Sequence, residues 1–205
     1  MNIYLIRHGE STGNGRKCFL GWSDHPLTEH GRAQAKAAAG RLAALGPMPV
    51  LCSDLLRARQ TAEIIAGQWG GEVITDLRWR EVGCGAFEDR PWDDFSSDPE
   101  LQARFDVDAY NAVMPGGESA AIMAARVIES FTEILARHDE QIAIVTHDGP
   151  LRAVLAHCLG IPPDRFWRLQ TDHGGVTHLT FIDNWLAVRT VNDRSHMECG
   201  GLTPL

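Results

Sequence analysis

Short apolar runs that end abruptly in polar, glycine-containing turns are the most regular feature of this chain. Three of them are rich in aliphatic and β-branched residues: 3–6, 50–52 and 141–145. Runs of this kind predict short buried strands. Near the C-terminus, the runs 176–182 and 185–191 are separated by an Asp-Asn pair, which predicts an antiparallel hairpin with a tight turn.

Helical spacing of apolar residues fills the intervals between these strands. It predicts helices from an N-cap at Thr28 to about Leu45, from Ser53 to about Trp69, from Glu118 to about His138, and from Gly149 to a stop at Gly160 and Pro162. Strands that alternate with helices are typical of the α/β class. We therefore expect a three-layer α/β/α sandwich whose central sheet is mostly parallel, with an antiparallel edge hairpin.

Two of the predicted strands deliver a histidine to their carboxyl ends. Arg7-His8-Gly9-Glu10 follows the first strand, and Thr146-His147-Asp148-Gly149 follows the run 141–145 just before a predicted helix. Ligands of open α/β sheets bind beyond the carboxyl ends of the strands, and a helix N-terminus favours anions. A guanidinium can clamp a phosphate and a neutral imidazole can attack it, so a phosphate site is indicated. Either histidine taken alone could equally be a structural imidazole.

Two further residues are candidates for the same edge of the sheet. Arg57 lies in the first turn of the helix predicted after the strand 50–52, so it should also face the carboxyl ends of the strands. Glu81 lies among aromatic residues and glycines outside any helical pattern, where a carboxyl group could serve as a general acid. Its context alone leaves open that Glu81 is only a solvated loop residue.

Five short motifs join these residues into one pattern that covers nearly the whole chain. They are Arg7-His8-Gly9-Glu10-Ser11 with Asn14, Gly21-Trp22-Ser23-Asp24 with Pro26-Leu27-Thr28-Glu29 and Gly31, Ser53-Asp54-Leu55-Leu56-Arg57-Ala58 with Thr61, Pro115-Gly116-Gly117-Glu118-Ser119, and Thr146-His147. Asn192 and His196 add a C-terminal pattern. Together the motifs resemble the histidine phosphatase superfamily, which includes the cofactor-dependent phosphoglycerate mutases. Asp148 departs from the pattern, where a small residue is usual.

The resemblance implies a role for each candidate. His8 would be the nucleophile that becomes phosphohistidine, and Glu81 would protonate the leaving alcohol and then activate water. Arg7, Arg57 and His147 would hold the phosphoryl oxygens, with help from Asn14, and Asp148 is expected to lie at the substrate-binding surface beside them. Positioning and charge neutralisation carry most of phosphoryl transfer, so no metal or other cofactor is expected.

Composition narrows the classes of partner. The 205 residues, 44% of them hydrophobic, fit a single domain over residues 1–205, and the net charge of −8 disfavours general nucleic-acid binding. Five scattered cysteines without a Cys-x-x-Cys pair indicate reduced thiols and a cytoplasmic protein rather than a disulfide framework or a zinc site. No apolar run reaches the length of a membrane span, and no signal peptide is recognised.

An acidic stretch follows Glu81. Between Glu88 and Asp108, eight acidic residues and two arginines leave a net charge of −6, and the region lacks clean periodicity. We expect an insertion at about 88–117 that lies over the active-site edge, either as a solvated connection or as a lid over the substrate. As a lid, its negative potential would discourage polyanionic substrates.

The expected activity is hydrolysis of a small phosphate monoester. Within the family, the chain looks most like the bacterial α-ribazole phosphatases, so α-ribazole phosphate is one candidate substrate. A phosphoserine phosphatase and a broad-specificity phosphatase are alternatives. A phosphoglycerate mutase is a further alternative, although it would need additional basic groups that the acidic region does not offer. Because the edge hairpin could pair with a second copy, a homodimer is a further expectation that the sequence leaves open.

Overall fold

One mixed sheet of six strands organises the protein, whose computed structural model describes residues 1–137 and 140–198. The strands are β1 (Asn2–Arg7), β2 (Val50–Cys52), β3 (Val73–Thr75), β4 (Gln141–Thr146), β5 (Val176–Ile182) and β6 (Trp185–Asp193). Their spatial order is β3-β2-β4-β1-β5-β6. The first four in this order are parallel, whereas β5 and β6 form an antiparallel hairpin at one edge. The predicted sheet is confirmed.

Seven helices surround the sheet in the described part of the chain. They are α1 (Glu29–Ala43), α2 (Leu56–Ala66), α3 (Trp92–Ser96), α4 (Pro99–Asp108), α5 (Ala120–Leu135), α6 (Asp148–Leu159) and α7 (Ser195–Glu198). No helix within residues 1–137 and 140–198 combines the length and the apolar character that a bilayer crossing requires.

Alternating side chains of β1 and β4 divide the interior into two apolar layers. Ile3 and Leu5 face a core built with α5, α6 and the fully buried Trp79. Tyr4 and Ile6 face the opposite core, which α1 and α2 complete with small side chains. Because neighbouring residues of a strand point to opposite faces, one continuous apolar run supplies both layers. This arrangement confirms the three-layer α/β/α sandwich.

The register of β1 against β4 places the two sequence motifs side by side. Arg7 pairs with Thr146, and the backbone N–H of His8 donates to the carbonyl of Thr146 at 2.9 Å. The chain after β2 joins them, since the N–H of Ser53 donates to the carbonyl of Val145 at 3.0 Å. Residues that are remote in sequence therefore leave the sheet together, at the carboxyl ends of neighbouring parallel strands.

The predicted start of α2 at Ser53 is wrong. The helix begins at Leu56, and Ser53 is buried with its hydroxyl 2.9 Å from His147 Nε2, so its backbone still follows the sheet. The N-terminus of α2 is capped instead by a distant carboxylate, because Asp24 accepts from the N–H of Leu56 at 2.7 Å. Arg57 nevertheless lies in the first turn, as expected.

The other helix predictions differ from the structure mainly at their ends. The N-cap at Thr28 and the stop at Gly160, which has φ +63°, are confirmed. The predicted start at Glu118 is two residues early, because Ser119 is the N-cap of α5. The predicted end near His138 lies outside the described residues, as does Cys199.

The acidic segment contains two helices, α3 and α4, that the sequence pattern did not reveal. Their apolar side chains do not pack on the main sheet; they build a separate cluster around Phe87, Leu101 and Met114, against Phe19. A few large residues in contact with a local cluster leave no stripe of helical period, which explains the missed prediction. The segment adds no strand to the sheet. That it is an insertion and that it moves as a lid stay predictions.

We expect Ser119→Ala to destabilise the protein by about 1 kcal/mol, because the Ser119 side chain accepts from the N–H of Ile122 at 3.1 Å and caps α5. Thr132→Ala is the matched control, since this exposed hydroxyl bonds only within its own helix at 2.8 Å. Urea unfolding followed by circular dichroism measures both. Equal losses of unfolding free energy in the two variants would contradict the cap.

Candidate active site

The carboxyl ends of β1, β2 and β4 border a cleft that gathers the predicted residues. A cavity of about 340 Å³ is lined by six of them: Arg7, His8, Asn14, Arg57, Glu81 and Asp148. The seventh, His147, lies behind the lining, with its ring centroid 5.0 Å from that of His8. The structure therefore brings all seven candidates together.

His8 presents one ring nitrogen to the cleft as a free base. Its Nδ1 lies 2.7 Å from the carbonyl oxygen of Gly9, and a carbonyl can only accept, so Nδ1 carries the proton. The lone pair is then on Nε2, which accepts a hydrogen bond from the Nε–H of Arg57 at 3.3 Å. The imidazole is held on its backbone side by Gly9, and the nitrogen on its other side is unprotonated and lies beside a cation.

The surroundings of His8 favour its neutral form. Burial is the largest cause that lowers the pKa of His8 well below its usual value, and the charges of His147 and Arg57 lower it further. His147 behaves in the same way, because burial and then Arg57 lower its pKa well below the usual range. Both imidazoles are therefore neutral near pH 7 in the unliganded site.

Arg57 is a buried cation with a fixed orientation. Arg57 is only 1% exposed to solvent. Its guanidinium donates to the backbone carbonyls of Ser23 and Gly21, each at 2.8 Å. Both acceptors belong to the motif around residues 21–24, which gives that motif a physical role. The guanidinium is thereby held against His8 rather than left to swing in solvent.

Arg7 and His147 each retain an unused polar atom in the interior. One guanidinium nitrogen of Arg7 donates to the carbonyl of Thr171, while its Nε finds no partner among the described residues. His147 Nε2 lies 2.9 Å from the Ser53 hydroxyl, and its buried Nδ1 likewise has no partner within residues 1–137 and 140–198. Buried polar atoms are usually paired, so these two atoms indicate a polar ligand.

Glu81 reaches the cleft from the loop after Trp79. Its carboxylate accepts from the N–H of Val82 at 2.9 Å and from the N–H of Gly149, the second residue of α6, at 3.3 Å. A Cβ at Gly149 would lie only 2.2 Å from a Glu81 oxygen, so glycine is what permits this approach. The carbonyl of Glu81 is fixed by Arg126 at 2.9 Å and by the Trp22 indole at 2.7 Å.

Asn14 and Asp148 differ in what they can offer a ligand. The Asn14 carbonyl oxygen accepts from the backbone N–H of Ser11 at 2.7 Å, which orients the amide and leaves its N–H₂ group free to donate to an anion. Asp148 is occupied on both oxygens, by Thr171 at 2.8 Å and by Arg152. Direct contact of Asp148 with substrate stays a prediction, and its observed bonds position Thr171, the partner of Arg7.

Sequence reasoning missed His173, the third imidazole of the site. Its ring centroid lies 5.2 Å from that of His8, and its Nε2 is buried without a partner in the described part of the chain. It belongs to the turn before β5, which is bonded to Arg7 through the N–H of Gly174 at 2.9 Å. The signal was available: β5 is antiparallel, so the polar, glycine-containing turn at its start meets the same edge of the sheet as His8.

Comparison with known proteins places this geometry in a family. Residues 3–194 match the histidine phosphatase superfamily (branch 1). A protein from Erwinia tasmaniensis named "Probable phosphoglycerate mutase GpmB" is 35% identical over 212 residues, covering 100% of this chain and 99% of the relative. Its namesake from Yersinia enterocolitica is 31% identical, with the same coverage of 100% and 99%.

Solved structures that resemble this chain include two that are named as phosphatases. The α-ribazole phosphatase from Shigella flexneri superposes with a TM-score of 0.87 and 27% identity, covering 94% of this chain and 96% of that one. YhfR from Bacillus stearothermophilus gives 0.88 and 30%, with coverage of 96% and 98%. A mycobacterial glucosyl-3-phosphoglycerate phosphatase gives 0.84 and 27%, with coverage of 94% and 99%. The expected family and fold are confirmed.

The buried histidines predict a loss of stability in mild acid. Burial and then the charge of Arg7 lower the pKa of His173 from 6.5 to about 3. Between these values the unfolded chain binds a proton that the folded protein does not, so unfolding free energy falls as pH decreases from 6.5 toward 3. His173→Gln should reduce this slope by about 1.4 kcal/mol per pH unit.

Urea unfolding of both proteins between about pH 6 and pH 4.5 measures the slope. The control is Thr180→Val, which also changes a buried polar side chain but removes no titrating group. It should shift stability equally at every pH. A His173→Gln slope equal to that of the unmodified protein would show that His173 does not resist protonation in the folded state.

Proposed function

The chain belongs to the histidine phosphatase superfamily (branch 1), and on that premise we propose that it hydrolyses a small-molecule phosphate monoester through a phosphohistidine at His8. One observation carries the proposal. His8 Nε2 is unprotonated and lies 3.3 Å from the guanidinium Nε of Arg57, at a cavity that Glu81 also lines. A nucleophile, a cation for the phosphoryl group and a carboxyl group therefore meet at one place.

In the first step, the Nε2 lone pair attacks phosphorus and the bond between phosphorus and the alcohol oxygen breaks. Arg57 shares its charge with the transferring phosphoryl oxygens, and the unpartnered Nε of Arg7 and Nδ1 of His147 are further donors around the same point. Asn14 adds its amide N–H. These groups neutralise the charge that spreads over the equatorial oxygens, which is the main requirement of phosphoryl transfer.

Glu81 serves both steps. Protonated, it gives its proton to the leaving alkoxide as the bond breaks, and it is then a carboxylate. In the second step it takes a proton from water, whose oxygen attacks the phosphohistidine and displaces His8 Nε2, so phosphate leaves and both residues return to their starting states. The bonds that Glu81 accepts from Val82 and Gly149 keep the carboxyl group beside the reacting atoms throughout.

Hydrolysis is favoured over phosphoglycerate mutase activity by the charges of the cleft. A mutase has to retain a phosphorylated acid in its site while that acid reorients. This requires cations beyond those that hold the transferring phosphoryl group. The third arginine that lines the cleft, Arg152, is paired with Asp148 and stacks 5.1 Å from the centre of Trp167. The names of the curated relatives support the mutase as the second candidate function.

The finer proposal for the substrate is α-ribazole phosphate. It is supported by the likeness to the Shigella flexneri α-ribazole phosphatase over 94% of this chain. Phosphoserine and a broad range of esters are the alternatives. We infer that hydrolysis needs no metal ion, because the donors described above already surround the phosphoryl position.

His8→Ala should abolish phosphate release, because the variant lacks the imidazole nitrogen beside Arg57 that would form the phosphohistidine. Brief incubation with a ³²P-labelled ester followed by alkaline quenching should trap a base-stable phosphoprotein in the unmodified chain only. Activity should survive EDTA. Isomerisation of 3-phosphoglycerate without phosphate release would establish the mutase instead, and activity lost with EDTA but restored by a divalent ion would overturn the metal-free mechanism.

Glu81→Gln should slow alkyl phosphates at least about 100-fold more than p-nitrophenyl phosphate, whose leaving group needs little protonation. Glu72→Gln, at an exposed position, is the matched control and should leave both rates unchanged. Steady-state kcat on the two substrates is the measurement. Equal losses on both would remove Glu81 from the acid role.

A further inference from the structure

A second cavity opens beside the catalytic cleft, beneath the acidic segment. It has a volume of about 400 Å³ and is walled by Phe19, Phe95, Phe105 and Met114. We call this cavity the apolar subsite. Four of its lining residues, Phe19, Val82, Cys84 and Trp167, also line the catalytic cleft, so the two cavities adjoin each other.

Resting on the proposed function, we propose that the apolar subsite receives the alcohol part of the substrate and selects phosphate esters whose leaving group is apolar, aromatic and uncharged. The phosphoryl group would occupy the cleft at His8, and the remainder of the ester would extend between Phe19 and Trp167. The site would thus recognise two parts of the substrate, the phosphate by its charge and the alcohol by apolar contact.

The carboxylate and the thiol of the lining are already bonded by the protein. Glu118 is the charged residue among the cavity walls, and its carboxylate is bonded by Arg126 and by the N–H of Gly83 at 3.1 Å. The Cys84 thiol lies 3.7 Å from the carbonyl of Val82. A charged or strongly hydrated leaving group would lose its water here and gain no partner, whereas an apolar group gains contacts.

The size and the entrance of the subsite agree with an aromatic occupant. A cavity of roughly 150 Å³ holds a benzene molecule, so one of about 400 Å³ has room for a larger, bicyclic group. Trp92 and Trp167, which line the catalytic cleft, remain 52% and 41% exposed and offer flat apolar faces at its mouth.

The acidic charges of the segment disfavour leaving groups that are themselves negatively charged. Asp93 and Asp94 lie in the first turn of α3, directly after Trp92, which lines the catalytic cleft, and Asp94 is paired with Arg90. They belong to the stretch from Glu88 to Asp108, whose net charge is −6. Their field repels a leaving group that carries its own phosphate or carboxylate, while it leaves a neutral one unaffected.

A pair of esters with the same kind of leaving oxygen tests the proposal. Ethyl phosphate and 2-phenylethyl phosphate both release a primary alcohol, so a difference between them reports on the phenyl ring rather than on leaving-group chemistry. We expect kcat/KM to be roughly 10- to 100-fold higher for the phenylethyl ester. Equal kcat/KM values for the two esters would overturn the subsite and leave the proposed phosphatase activity intact. If the protein hydrolysed none of the three substrates, these two esters and p-nitrophenyl phosphate, the proposed function itself would be overturned.

Filling the subsite should remove the preference. Ala109, at the end of α4, lines the cavity, so Ala109→Phe should lower kcat/KM for the phenylethyl ester toward that of ethyl phosphate and leave the ethyl ester unchanged. Ala103→Phe makes the same change on the exposed face of α4 and should alter neither value. Unchanged ethyl phosphate turnover shows that each variant is folded. An undiminished preference in Ala109→Phe would contradict the proposal.

Discussion

The parallel pairing of β1 with β4 is the constraint on which the site depends. Its register sets Arg7 opposite Thr146, so the next residues of both strands, His8 and His147, leave the sheet together. The N–H of His8 still bonds to the carbonyl of Thr146 at 2.9 Å, which keeps the proposed nucleophile at the sheet rather than in a free loop. A shift of one residue would turn one histidine to the other face, because side chains alternate along a strand.

Such close packing of basic groups is tolerable because the protein keeps few of them charged and holds those few with neutral acceptors. Arg57 bonds to two carbonyls, and Arg7 bonds to a third, so neither depends on a carboxylate in the cleft. Burial lowers the pKa of each of the three imidazoles, which keeps them neutral. The site therefore retains positive potential and unused donors, and the phosphate dianion of the proposed substrate would supply the compensating negative charge.

Much of this arrangement was predictable, and the remainder follows one physical distinction. His8 and His147 come directly after apolar strands, and Arg57 lies in the first turn of the helix that follows another, so the local pattern of the chain specifies their positions. His173 comes before a strand, and only knowledge that β5 is antiparallel brings it to the same edge. The start of α2 was misplaced because its cap is Asp24, which is remote in sequence. Contacts set by long-range packing leave no local signal.

Arg126 shows how the fold joins chemistry to selectivity. Its guanidinium bonds to the carbonyls of Arg78 and Arg80 at 2.7 and 2.8 Å and to that of Glu81 at 2.9 Å, so it fixes the loop that carries the proposed acid. The same group pairs with Glu118, at the point where the acidic segment returns to α5 and the apolar subsite ends. One partly buried cation on α5 thus anchors both the loop that carries the proposed acid and the wall that would contact the alcohol. Because both contacts depend on the same group, a shift of the wall at Glu118 would be felt at Glu81.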